Sequence, residues 1–258
     1  MLSWPAEQSP QRVTFLADLH LFSARSTADQ HENSMVTMAR ESEMVVFGGD
    51  LFDFRWSRIG NARQTANSAV HWLERFMNRV GKREFLYLYG NHDGDEELRQ
   101  ALRALQNRDS RFSVAGDLLR VGDTAFLHGD VIEGRGCSIA FQEYRERWAE
   151  KRQASHAQSR AYDAAVALRV HRLAAAMAHR RVQTFQHLLV YLKHKQCGPA
   201  EGVRRVVFGH THRMLTGRPY AGVRFFNPGA TVRGIPFHPV VLNMSDAIPG
   251  EPTSKIVT

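Results

Sequence analysis

Four short apolar runs punctuate the chain, each cut off by glycine and polar residues: Arg12–Ala17 (RVTFLA), Met44–Phe47 (MVVF), Phe85–Tyr89 (FLYLY) and Arg204–Phe208 (RRVVF). Runs this short, bounded by turn residues, predict buried strands. Between the first three, apolar residues recur at helical spacing. Asp29–Ser42 carries Met35, Met38 and Ala39, and Asn61–Val80 carries Val70, Leu73, Phe76, Met77 and Val80 on one stripe. Glu96–Leu105 predicts a shorter helix. Strands alternating with helices predict a mainly parallel sheet covered by helices. Leu118–Val121 and Ala125–His128 then flank Gly122-Asp123, a hairpin signal. Val223–Phe226 and Val240–Leu242 read as late strands.

Phe141–Lys195 has a different texture, rich in Ala and Arg and almost free of Gly and Pro. Phe141, Tyr144 and Trp148 fall on one stripe; Tyr162, Val166, Val170, Leu173 and Met177 form a second; Phe185, Leu188, Leu189 and Leu192 form a third. Two or three helices are expected here. The stripe Leu173, Met177, Phe185, Leu189 reads as packing rather than a lipid slot.

A hydrophobic content of 43% with 23% charged residues fits a globular chain. The formal net charge is +8, and its distribution is uneven. Glu133–Ala200 holds 12 Lys/Arg against 5 Asp/Glu, a net of +7. That asymmetry points to an anionic partner: a phosphorylated substrate, a membrane surface or nucleic acid. No stretch approaches the ~18 consecutive apolar residues of a spanning helix, and residues 1–12 lack a signal-peptide pattern. The expected location is cytoplasmic, peripheral to a membrane if the basic segment binds one. Cys137 and Cys197 match no zinc spacing and read as incidental thiols.

The chemistry lies in the clusters that end the strands. They are Asp18-Leu19-His20, Gly49-Asp50-Leu51-Phe52-Asp53, Gly90-Asn91-His92-Asp93, His128-Gly129-Asp130 and Gly209-His210-Thr211-His212. Carboxyl ends of strands form the ligand-binding edge of α/β sheets, so five such clusters are expected to converge. In extended chain, residues i and i+2 share a side. This pairs Asp18 with His20, and His210 with His212, as two-toothed metal grips. Asp and His suit Mn, Fe or Zn. A carboxylate can bridge two cations, and Asp50 is the natural candidate. Asp53 reads as a cap on its following turn, Asp130 as a supporting residue, and Asn227-Pro228-Gly229 as a tight turn. Arg213, beside the histidine pair, is a candidate phosphate contact.

The motif set D-x-H, G-D-x-x-D, G-N-H-D, H-G-D and G-H-T-H resembles the calcineurin-like metallophosphoesterases, from about Val13 to Asn227. The resemblance implies a four-layered α/β/β/α sandwich in a single domain spanning 1–258, with a helical insert or lid at about 135–200. It implies two divalent cations, with Mn²⁺ preferred over Fe or Zn. Asp18, His20, Asp50 and His212 would hold one, and Asp50, Asn91, His128 and His210 the other. It implies hydrolysis of a phosphoester or pyrophosphate by a bridging hydroxide, with His92 protonating the leaving oxygen and Asp93 orienting His92. A narrower resemblance, carried by Phe15–Leu21, Gly49–Asp53, His128–Asp130, the helical segment and Gly209–Arg213, is to the UDP-2,3-diacylglucosamine hydrolases. Their best-known branch has Arg where this chain has His92. A nuclease or cyclic-nucleotide phosphodiesterase, and a non-catalytic scaffold of the same fold, are the alternatives.

Overall fold

The computed structural model describes residues 1–4, 9–151, 153–167 and 181–245. Two sheets lie at its centre. One follows the order β11 (Val240–Asn243), β2 (Arg12–Leu16), β3 (Met44–Phe47), β4 (Glu84–Leu88), β5 (Phe112–Gly116). Its strands β2 to β5 run parallel, and β11 closes the edge antiparallel. The other follows the order β1 (Leu2–Ser3), β6 (Leu118–Val121), β7 (Thr124–Leu127), β8 (Arg205–Phe208), β10 (Val223–Asn227), β9 (Leu215–Tyr220).

The apolar runs are continuous because each strand buries both faces. In β3, Met44 and Val46 face the opposing sheet, while Val45 and Phe47 face helices. In β4, Leu86 points between the sheets, and Phe85 and Tyr87 point outward. Across the sandwich, β7 sends Phe126 inward and Ala125 and Leu127 outward. A period of two thus divides one apolar run between two cores. Helices α1 (Ala28–Arg40), α2 (Ala62–Val80) and α3 (Glu96–Arg108) cover the first sheet through residues such as Met35, Phe76 and Leu102. The fold is therefore a four-layered α/β/β/α sandwich, as the resemblance implied. The strand–helix alternation described only its first half. The Gly122-Asp123 hairpin starts the second sheet, with β6 and β7 antiparallel.

The basic segment forms three described helices: α4 (Ser138–Ala149), α5 (His156–Ala167) and α6 (Arg181–His194). Val170, His171, Leu173, Met177 and His179 lie outside the described residues. The helices have separate duties. Helix α6 is the outer layer of the six-stranded sheet, burying Phe185, Leu188, Tyr191 and Leu192 against it. Phe185 stacks on Phe225 of β10 at 4.2 Å. Helix α4 is pinned by Arg145, which is buried. Arg145 binds both oxygens of Asp130, at 2.8 and 3.0 Å, pairs with Asp117, and donates to the Tyr89 carbonyl at 2.6 Å. One of the segment's cations is thus a structural anchor rather than part of a solvated face.

Candidate metal centre

Strands β2, β3 and β4 of one sheet and β7 and β8 of the other all end at the same edge, and the five polar motifs meet there. Cross-links tie them together. The His210 amide donates to Asp18 Oδ2 at 2.8 Å, and His128 Nδ1 lies 2.9 Å from the Gly48 carbonyl. Two motif glycines are required by this closeness. A β-carbon on Gly90 would fall 2.1 Å from Asp50 Oδ1, and one on Gly209 would fall 2.4 Å from Asp18 Oδ2.

The backbone here is not extended. Asp18, His20, Asp50, His210 and His212 all have left-handed φ, between 45° and 63°. Non-glycine residues reach that region at a cost, and its concentration at one site marks a conformation held by its surroundings. The pairing expected from i, i+2 alternation is corrected accordingly. Asp18 and His20 do stay together, but His210 and His212 separate. Asp18, His20 and His212 form one group, Asp50, His128 and His210 a second, and His20, Asp53 and His92 a third that shares His20 with the first, with the donor atoms of each group within 4.8 Å of one another.

The distances fit cations. His20 Nε2 and His212 Nε2 are 3.0 Å apart, and His212 Nε2 is 3.3 Å from Asp18 Oδ1. In the second group His128 Nε2 is 3.3 Å from Asp50 Oδ2. Atoms each held ~2.0–2.2 Å from one cation stand about 3–3.5 Å apart. Asp18 Oδ1, Asn91 Oδ1 and His128 Nε2 are buried with no hydrogen-bond partner among the described residues. Buried polar atoms left in this way call for an ion or water. His128 Nδ1 gives its proton to the Gly48 carbonyl, leaving the Nε2 lone pair for a cation.

Charge in the metal-free protein follows from the same closeness. Burial disfavours a charged His128, but the Asp50 carboxylate outweighs it and the pKa is pushed up to about 10. Burial also raises Asp50, yet His128 and His92 hold it well below the usual carboxylate range. His20 is driven well below the normal histidine value, by burial first and then by Arg25 and the neighbouring histidines. It is therefore neutral, as a metal ligand must be.

His92 belongs to the third group and lies beside the other two. Its Nδ1 is 3.2 Å from Asp53 Oδ1, and its Nε2 is 3.9 Å from Asp50 Oδ2. Burial opposes its protonation, and the Asp50 and Asp53 carboxylates overcome this and raise its pKa. The role expected of Asp93 is corrected here. Asp93 Oδ2 accepts from the Gly90 amide at 2.9 Å and the Asp50 amide at 2.8 Å, so it holds the loop rather than His92. Both motif carboxylates are buried. The backbone decides between them: the tight turn Asn91–Asp93 folds Asp93 back under its own loop. Asp53 also caps its own turn by accepting from the Trp56 amide at 3.2 Å. Arg213 is partly buried.

Several residues near the centre carried no motif signal. Arg25 donates to Asp53 Oδ2 at 2.8 Å and reaches His20 Nδ1 at 3.0 Å. It also pairs with the Tyr162 hydroxyl of α5, whose ring stacks on Trp56 at 4.2 Å. Trp148 of α4 packs on His92 at 4.6 Å, and Lys151 sits 3.4 Å over the Trp148 ring. The cavity left between Trp148, Lys151 and His92 is about 30 Å³. Helices α4 and α5 therefore roof the centre. Asn227, read as a turn residue, is buried and donates to the Gly209 carbonyl at 2.8 Å and to Thr211 at 3.2 Å, bracing the His210–His212 loop. Its signal lay in the side chain, which a turn alone does not require.

A model of the calcineurin-like phosphoesterase family matches residues 11–214, and the chain belongs to that family. Among solved structures, a dimetal phosphatase from Danio rerio is similar over 87% of this chain and 89% of its own, at 11% identity and a TM-score of 0.44. No curated protein matches the chain. Among the described residues, no helix is long and apolar enough to cross a membrane.

Proposed function

We propose that the protein hydrolyses a phosphoester or pyrophosphate bond with two divalent cations, Mn²⁺ preferred. The observation that carries this is the pair of donor groups, Asp18–His20–His212 and Asp50–His128–His210, together with the buried oxygens Asp18 Oδ1 and Asn91 Oδ1, which have no hydrogen-bond partner among the described residues. Asn91 would complete the second group, and Asp50 would be shared. Such a pair of cations supplies a low-pKa water and stabilises charge on the phosphoryl oxygens.

The chain's own residues do the rest. Asp53 accepts the Nδ1 proton of His92 and fixes the ring, so Nε2 faces the reaction site. The Asp50 and Asp53 carboxylates raise the pKa of His92 and so favour the protonated ring, which can donate to the leaving oxygen. Trp148 lies against His92 and limits which leaving groups fit. The roof excludes bulk water, which strengthens each of these interactions.

The anionic partner of the basic segment is then the phosphorylated substrate itself. A lipid nucleotide such as UDP-2,3-diacylglucosamine is the narrower candidate, supported by the helical roof. Helix α6 spends Phe185, Leu188, Tyr191 and Leu192 on the sheet. The deciding experiment is a Mn²⁺-supplemented screen of a phosphomonoester, a phosphodiester, single-stranded DNA and UDP-2,3-diacylglucosamine. Turnover of at least one class, abolished by chelation, is expected. A folded protein that binds no cation and turns over none would overturn the proposal.

A further inference from the structure

Glu133 follows the His128-Gly129-Asp130 motif at the start of the basic segment, and no motif includes it. Its Oε1 lies 3.0 Å from His210 Nε2, with His210 10% and Glu133 32% exposed. A carboxylate at this distance accepts, so the imidazole proton sits on Nε2. A neutral imidazole has one proton, and Nδ1 then carries the lone pair. The Tyr144 ring stands edge-on to His210 at 6.4 Å, and His128 stands edge-on at 5.3 Å. The His210 amide is tied to Asp18 Oδ2 at 2.8 Å. The ring is therefore fixed at its backbone, on two sides, and at Nε2.

Resting on the dinuclear reading above, we propose that Glu133 is a positioning residue for the second cation: it locks His210 in the Nε2–H tautomer and turns Nδ1 towards Asp50 and His128. The two histidines of that group are then preset by complementary devices. His128 gives its Nδ1 proton to a backbone carbonyl and offers Nε2. His210 gives its Nε2 proton to Glu133 and offers Nδ1. A carboxylate behind a ligating histidine fixes the ring and makes it more basic, and its loss lowers metal affinity by about 10–100-fold. In the first group the carboxylate beside His20 Nδ1, Asp53 Oδ2, is 3.9 Å away, beyond hydrogen-bond distance among the described residues. Only the second cation should depend on Glu133.

The test uses the full chain and Mn²⁺, with binding followed by isothermal titration and metal content after dialysis. Glu133→Ala is expected to leave one site at wild-type affinity and weaken the other about 10–100-fold. Glu133→Gln, whose amide oxygen still accepts the Nε2 proton, is expected to restore most of that loss. Side-chain ¹⁵N spectra of the metal-free wild type should show His210 as the Nε2–H tautomer. Wild-type affinity at both sites in Glu133→Ala, a Gln variant as weak as Ala, or an Nδ1–H signal for His210 would each overturn the proposal. A wild-type protein that binds no Mn²⁺ would overturn the dinuclear reading as well. Two sites unchanged in Glu133→Ala would remove Glu133 alone.

Discussion

Asp53 Oδ1 lies 3.2 Å from His92 Nδ1, while Asp53 Oδ2 takes a 2.8 Å ion pair from Arg25. The carboxylate therefore serves His92 with one oxygen and is itself held by the other. Its charge helps to raise the His92 pKa. A general acid must be protonated, so the rate falls as pH rises through that pKa. Asp53→Asn keeps an acceptor for the ring and removes the charge. The alkaline limb of the kcat profile should move down by about one pH unit or more. An unshifted limb would show that Asp53 does not set the acid.

His92→Ala should retain both cations and lose about 10²–10⁴-fold in kcat. Asp50→Ala should lose cation occupancy, measured by metal analysis after dialysis. Full activity and two cations in Asp50→Ala would refute its role as the shared ligand.

Asp93 predicts a different outcome from its neighbour. Its removal orphans the buried amides of Gly90 and Asp50. Asp93→Ala should cost about 1–3 kcal/mol for each orphaned donor, measured by chemical denaturation of the metal-free protein. A stable variant with a shifted kcat profile would instead make it a partner of His92.

Cation binding should depend on pH with a defined sign. His128 is protonated in the metal-free protein below about 10, and a cation needs its Nε2 lone pair. Binding must release that proton, so apparent affinity should rise by about tenfold per pH unit at neutral pH. Titrations in buffers of different ionisation enthalpy count the proton directly. No release would place the cation elsewhere.

Arg145 is buried between Asp130 and Asp117. Arg145→Met leaves Asp130 charged and unpaired, which should destabilise the protein by about 3–5 kcal/mol. Adding Asp130→Leu should recover much of this loss in thermal denaturation.

The core was legible in the sequence because its strands are short apolar runs bounded by glycine. The strands that escaped notice, β5, β9 and β1, lack that signature. Strand β5 interrupts its apolar residues with Ser113. Strand β9 carries Gly217 and Pro219 and is largely exposed at a sheet edge. Strand β1 has two residues. The candidate ligand positions were legible as residue types, and the resemblance already divided His212 from His210; the backbone that divides them was not legible from i, i+2 spacing. Left-handed φ at five of these positions replaces the alternation of extended chain and sends His210 and His212 to different groups. Arg25, Trp148 and Tyr162 could not be found by motif, since they reach the centre only through tertiary packing.

The division of labour within the basic segment constrains how relatives of this protein can diverge. Helix α6 seals a sheet through Phe185, Leu188, Tyr191 and Leu192, so these positions tolerate only exchanges that conserve volume. Helices α4 and α5 meet the candidate metal centre through Trp148, which packs on His92, and Tyr162, which pairs with Arg25. Recombination that carries a new substrate preference between relatives should therefore place its downstream junction before Arg181. A graft that crosses that boundary transplants part of the hydrophobic core together with the specificity.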